Sequence, residues 1–176
     1  ATWDELEGIF IGYGSGYYVV EGSSSIYIGN GTANTPGLTE VVANTAVGEE
    51  ALKKASSSWN AAFGTWAMQN TTTGTKQAAF GGVALDANTT GGYNSAFGYG
   101  SLGADTTGAS NSALGYNAGD NLVSGSNNII IGANADASAN NVSNEITLGD
   151  ANITKFRIPG INFELADNGG TPTNGH

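Results

Sequence analysis

The stretch Asn94-Ser95-Ala96-Phe97-Gly98-Tyr99 returns 17 residues later as Asn111-Ser112-Ala113-Leu114-Gly115-Tyr116. Its strand-and-glycine word recurs in both directions. The other copies are Ile9-Phe10-Ile11-Gly12, Ile26-Tyr27-Ile28-Gly29, Thr45-Ala46-Val47-Gly48, Ala61-Ala62-Phe63-Gly64, Ala78-Ala79-Phe80-Gly81, Ile129-Ile130-Ile131-Gly132 and Ile146-Thr147-Leu148-Gly149. Every step from Gly64 through Gly81, Gly98, Gly115 and Gly132 to Gly149 is 17 residues, as is Gly12 to Gly29; the remaining two steps are 19 and 16. A fixed period of this length is the mark of stacked coils, each too thin to bury its own apolar face alone.

Taking the glycine as position 0 turns the repeat into columns. Position −4 holds Asn44, Asn60, Gln77, Asn94, Asn111 and Asn128, and position −2 holds Ala46, Ala62, Ala79, Ala96 and Ala113. Position −1 is large: Val47, Phe63, Phe80, Phe97, Leu114, Ile131 and Leu148. Small residues hold +3, Leu52, Met68, Leu85 and Leu102 hold +4, and Gly74, Gly91, Gly108 and Gly125 hold +10. Each coil reads as a strand, a glycine corner, a second short apolar segment and a Thr/Asn/Gly loop. Strand alternation puts −1 and −3 on one face and −2 and −4 on the other. The large −1 residues are expected to plug the interior, and the alanine column to face outward, where its small side chains suit close approach by another chain. The amide column is expected to hydrogen-bond along the stack or to satisfy corner backbone groups. Residues 49–54 carry the one short helix-like signal. The fold expected is all-β, a parallel β-solenoid of about nine coils of about 17 residues.

Residues 1–149 form the repeat region, more divergent over 1–43. Thr35-Pro36-Gly37 falls in the lengthened step and reads as an outward loop. In residues 150–164, Lys155 and Arg157 alternate with Phe156 and Ile158, which predicts a terminal strand capping the stack. Residues 165–176 read as a flexible tail or linker.

Composition excludes several functions. The chain has 28 glycines, no cysteine, 11% charged residues and a net charge of −10 with only five basic residues. Thiolate chemistry is absent, and a phosphate-binding stripe for nucleic acid is not expected. No apolar run of about 18 residues predicts a membrane span. The single histidine is His176, in the tail, so a Ser/His/Asp triad or multi-histidine metal site is not expected. Asp86, Asp105 and Asp120 lie in loops of different coils without an evident acid partner, and no Gly-Lys-Ser/Thr follows the glycines. The chain is read as non-enzymatic and without a cofactor. Calcium is the one candidate ion, from loops such as Asp86-Ala87-Asn88 and Asp120-Asn121, although no dense Asp-x-Asp-x-Asp run supports it.

The words Asn44-Thr45-Ala46-Val47-Gly48, Asn60-Ala61-Ala62-Phe63-Gly64, Asn94-Ser95-Ala96-Phe97-Gly98 and Asn111-Ser112-Ala113-Leu114-Gly115 resemble the head repeat of trimeric autotransporter adhesins, which also occurs in bacteriophage tail fibres. The resemblance is strong over residues 44–149 and looser over 9–43. It implies a left-handed parallel β-roll in a parallel homotrimer, intertwined or side by side. The family's repeat is usually shorter, and this chain adds a Thr-Thr-Gly loop. The run from Ile146-Thr147-Leu148-Gly149 to Ile158-Pro159-Gly160 is similar to the end of repeat regions in tail fibres of marine and cyanobacterial phages. No coiled-coil stalk or membrane anchor, as a full adhesin carries, is written in these residues. The resemblance therefore favours a virion tail fibre, with other fibre or tail components and a host cell-surface polysaccharide or protein as partners. The alternative is a bacterial surface adhesin head.

The candidate contact residues are aromatic. Tyr99 and Tyr116 share position +1. Trp59 and Tyr93 share position −5, with Lys76 between them. Together they are expected to form a shallow glycan-contacting face, amid charge-poor, amide-rich surroundings; the competing reading packs these rings against a neighbouring chain. Tyr13, Tyr17 and Tyr18 crowd the first coil. Thr72-Thr73-Gly74, Thr89-Thr90-Gly91 and Thr106-Thr107-Gly108 form a threonine ladder of the kind ice-binding solenoids use, but in a turn rather than on a flat strand. A carbohydrate-active enzyme on the same scaffold would need clustered acids in a groove, which the sequence does not display.

Overall fold

The computed structural model describes residues 8–19, 24–36, 42–155 and 157. Among them are nine strands and no helix: β1 (Gly8–Ile11), β2 (Ser25–Ile28), β3 (Thr45–Val47), β4 (Ala61–Phe63), β5 (Ala78–Phe80), β6 (Ser95–Phe97), β7 (Ser112–Leu114), β8 (Ile129–Ile131) and β9 (Ile146–Leu148). They form one sheet in chain order, and each strand pairs in parallel with its copy in the next coil, Ala79 opposite Ala96 and Ala96 opposite Ala113. The long and short steps are absorbed outside the strands, so Tyr27, Ala46 and Ala62 stay in register. The chain is a parallel β-solenoid. With strands about 4.8 Å apart, its nine strands make a rod about 40 Å long.

Backbone hydrogen bonds run from coil to coil around the whole circumference. Gly98 N–H donates to Phe80 O at the corner, Leu102 N–H to Ala118 O on the second segment and Thr89 N–H to Thr106 O in the loop. The corner requires glycine. At Gly98 φ is 140°, and a Cβ there would run into the Gly115 carbonyl of the next coil. Beyond the corner the chain alternates hand, with left-handed residues at +2 and +4; Leu52, Met68, Leu85 and Leu102 all have φ of 50–53°. Each such residue is strained by about 1 kcal/mol, offset by full burial of its side chain. Residues 49–54 make this same turn rather than a helix.

The two faces of the strand are the reverse of the sequence expectation. Ala46, Ala62, Ala79, Ala96 and Ala113 are buried, while Phe80, Phe97, Leu114, Ile131 and Leu148 are 38–55% exposed. The alanine column is the interior, and the large −1 residues, Phe63 among them, stand on the outer face of the sheet. Volume explains this. The interior layer of one coil is only a strand spacing thick, and Leu or Met at +4 fills it from the opposite wall. A phenylalanine beside that residue would overfill the layer. Outside, the rings stack at the coil rise: Phe63 on Phe80 at 4.7 Å and Phe80 on Phe97 at 4.9 Å, within 9° of parallel. The outward face available to another chain is therefore the one at −1 and −3, with large apolar residues at −1 and small ones such as Ser95 and Ser112 at −3 through the middle strands, not the alanine column.

The amide column lies inside with the alanines, and its geometry serves the backbone. Asn94 Nδ2 donates to Gly108 O at 2.8 Å, and Asn94 Oδ1 accepts Asn111 N–H at 2.9 Å. Asn60, Asn111 and Asn128 repeat both bonds. Each amide thus ties its own loop to the corner and each coil to the next, satisfying groups that burial would otherwise leave unpaired. A second polar column, Thr71, Asn88 and Asp105, is also buried. The Thr71 hydroxyl and the Asn88 Nδ2 find no partner among the described residues. Asp105 accepts Gly108 N–H at 2.7 Å and faces Asn111 Nδ2 at 3.4 Å. Burial pushes its carboxyl up to about 6, against the pull of those bonds.

At the far end, Asp150 and Asn152 make a turn, and Ile153 N–H donates to Asp150 O at 3.1 Å. Residues 150–155 contain no strand and, Asp150 apart, are exposed. Phe156 and residues 158–164 of the expected capping strand lie outside the described residues, as do the 165–176 tail and residues 37–41 of the long step. Thr35 is tied down by its hydroxyl, which donates to Lys53 O at 2.9 Å. Among the described residues no helix is long and apolar enough to cross a membrane.

Candidate functional site

The four aromatic candidates fall into two rows, one at each end of the strand. Position −5 precedes the strand and +1 follows the corner, so six residues, up to about 20 Å of extended chain, separate them within a coil. Tyr99 and Tyr116 do meet, with ring centroids 5.9 Å apart and planes 13° from parallel. In the other row, Lys76 places its ammonium 5.2 Å from the centre of the Tyr93 ring, a cation–π pair. Trp59 stands two coils from Tyr93 and is largely exposed. One continuous platform is therefore replaced by two ladders flanking the apolar face.

The −5 position is left-handed in every coil from Ala43 to Asn144; Trp59 has φ 67° and Tyr93 φ 62°. Asparagine suits that region better than an aromatic residue, and Asn127 and Asn144 occupy it further along. The fold thus has no need of a ring at −5. Trp59 and Tyr93 are strained, exposed side chains that the coil tolerates rather than uses.

The +1 row borders an opening. The Tyr99 ring lies over Gly82, whose missing Cβ would come within 3.2 Å of it. Beside the ring is a cavity of about 310 Å³, bordered by Asp86, Gly100, Gly103, Asn117 and Asp120. Its origin is subtraction. The coil carrying Tyr99 has glycine at both +2 and +5, so two side chains are missing between the coils that supply Asp86 below and Asp120 above. Partial desolvation raises the Asp86 carboxyl against the opposing pull of Lys54. Partial desolvation, with Asp136 close by, raises Asp120. Such a space can accept hydroxyl donors against an aromatic wall. Tyr99 is evident from the sequence as a contact candidate, whereas Asp86 and Asp120 stand out there only as loop acids. A further cavity of about 260 Å³ is lined by Tyr13, Gly14, Tyr17, Tyr18 and Asn34, with Tyr17 and Tyr18 edge to face at 4.9 Å.

The threonine ladder is largely internal bonding. The hydroxyls of Thr72, Thr89 and Thr106 each donate to a carbonyl one coil on at 2.9 Å. Among the described residues no three acids, histidines or cysteines gather as a metal-binding group; His176 lies outside them. No protein-family model matches the chain, and no curated protein or solved structure matches it either.

Proposed function

We propose that this chain is a non-enzymatic structural and adhesive segment of a bacteriophage-type tail fibre, in which three parallel copies pack into a stiff rod that holds identical surfaces toward a host cell. One observation carries the reading. The outer sheet face, from Ile9 and Ile11 to Ile146 and Leu148, bears no charged side chain at −1 or −3 in any of the nine strands. Its members Ile9, Ile11, Phe80, Phe97, Leu114, Ile129, Ile131, Ile146 and Leu148 are 38–66% exposed in the single chain. The row at −1 is apolar in every strand, and −3 beside it is small (Thr45, Ala61, Ala78, Ser95, Ser112) through β3 to β7 and Ile in β1, β2, β8 and β9. An uncharged, largely apolar strip of this extent marks an interaction surface. A parallel copy offers the same ladder at the same rise, and closed cyclic symmetry lets every copy bury its face.

The number three and the fibre context rest on the resemblance of the Asn-Ser-Ala-Phe-Gly words to the adhesin-head and tail-fibre repeat. The mechanism that follows is mechanical. Coils bonded all round give stiffness, and threefold presentation multiplies weak contacts by raising effective concentration. Cryo-electron microscopy of the intact assembly tests it. The expected image is a virion appendage containing this rod with three chains around its axis; the same rod on a bacterial cell surface, or as isolated single chains, overturns it.

A further inference from the structure

We propose that the two Gly-Tyr-Gly-Ser corners, Gly12-Tyr13-Gly14-Ser15 and Gly98-Tyr99-Gly100-Ser101, are equivalent notches that each bind one neutral sugar ring. This rests on the reading of the rod as a surface-contacting fibre and names the ligand class and the residues. Each cavity described above opens at one of these two corners.

The shared sequence word has a shared geometry. Tyr13 and Tyr99 sit at +1 and are 89% and 55% exposed. Gly14 and Gly100 sit at +2, both with φ 67°. A Cβ on Gly14 would meet Asn34 Nδ2, and one on Gly100 would meet Asn117 Oδ1. In both corners, then, the amide of an asparagine from the next coil, Asn34 at +5 in one and Asn117 at +2 in the other, hangs over a bare glycine, next to an exposed tyrosine. Gly31 also leaves +2 bare, but Asn30 rather than a tyrosine stands at +1 there; other coils put Glu50, Trp66, Val83, Asn117 or Asn134 at +2, where a side chain occupies the space. The openings are shallow, and their volumes of about 260 and 310 Å³ lie at or just below the small end of ligand sites, room for one ring face rather than an extended cofactor.

The chemistry selects the ligand. A pyranose has an apolar C–H face for the tyrosine ring and an equatorial rim of hydroxyls. The asparagine amide can both donate to and accept from that rim, and in the second notch Asp86 and Asp120 add acceptors. Neither notch is lined by lysine or arginine, and the chain carries a net charge of −10. Sulfated, phosphorylated or sialylated sugars are disfavoured on both counts. Five coils separate the notches, about 24 Å along the rod, so one polysaccharide strand lying along the fibre can engage both.

Saturation-transfer NMR on the full chain tests this, with methyl glycosides of glucose, galactose, mannose and N-acetylglucosamine as neutral probes and sialyllactose as the anionic one. Light scattering on the same sample gives the number of chains. At least one neutral glycoside is expected to receive transfer, and sialyllactose none. Tyr13→Ala and Tyr99→Ala should each roughly halve the signal, as for independent sites, and the double variant should abolish it. Trp66→Ala, an exposed ring outside both openings, should leave it unchanged. Gly14→Asn with Gly100→Asn fills the notches while keeping both tyrosines, and should abolish transfer as well, which covers the case of a poorly folded tyrosine variant. No transfer from any neutral probe, a stronger signal from sialyllactose, or binding that survives both double variants overturns the proposal. A trimer that binds no sugar defeats the notches and spares the rod; a monomer that binds at the notches does the reverse.

Discussion

Asp105 makes the stability of the rod depend on pH in an unusual direction. Its side chain is fully buried, and burial moves its carboxyl from the ordinary 3.8 to about 6. Well below pH 3.8 the acid is neutral in the folded and unfolded chain alike, and its contribution to stability is at its full value. As pH rises, the unfolded chain ionises first, and the folded chain resists until about 6. Stability therefore falls across that window and is flat above it. The displacement corresponds to about 3 kcal/mol, at 1.36 kcal/mol for each tenfold change in proton affinity. Asp86 and Asp120 are also raised while Glu145 is lowered, so other carboxyls add slopes of both signs and a difference measurement is needed to isolate Asp105. Asp105→Asn cannot ionise. Its Oδ1 can keep Gly108 N–H, but its new Nδ2 would face Asn111 Nδ2, which is already held by Gly125 O. The variant should be less stable than wild type at pH about 3 and should draw level with or pass it by pH about 7, the difference changing by about 3 kcal/mol. Urea unfolding followed by circular dichroism, at one fixed protein concentration, measures it. A wild-type-minus-variant difference constant to within about 0.5 kcal/mol across the window refutes the reasoning.

Other perturbations read other parts of the frame. Ala96→Leu forces a large side chain into the filled interior and should lower stability by about 3 kcal/mol, seen as a fall in thermal midpoint; a neutral result would mean the alanine column faces out. Asn94→Ala strips Gly108 O, Asn111 N–H and Gln77 Oε1 of their partner and should cost about 3 kcal/mol or more for three buried unpaired groups, measured by urea unfolding, with amide exchange faster at Asn111 than in β2. Ala43→Asn puts a better-suited residue at a left-handed position, φ 54°, and should raise stability by about 0.5–1 kcal/mol; a loss would show that the side chain is confined there.

Strand positions and register were legible because each strand must pair with its copy one repeat on, so the glycine spacing alone places all nine. The glycine corner was legible from its recurrence, but its cause, the next coil's carbonyl standing where a Cβ would be, was not. The inside and the outside were not. Alternation says which residues share a face, but which face is buried is decided by volume. Two signals pointed the right way: asparagine shares its face with alanine and needs backbone partners, and Leu or Met at +4 already supplies the filling. The site was legible in part. Tyr99 and Tyr116 meet because they share a column in adjacent coils, whereas Trp59 and Tyr93 share a column but not adjacent coils. The opening beside Tyr99 was hidden, since it consists of side chains that Gly100 and Gly103 lack, between walls about 17 residues before and after them in the chain.

The most direct test of the account is the mass of the chain in solution. Sedimentation equilibrium at micromolar concentration should give three chain masses for the wild type. Phe80→Asp with Phe97→Asp, which charges the outer face without touching the interior, should give a single folded chain. A wild type that sediments as a monomer while its apolar ladder stays exposed contradicts the account.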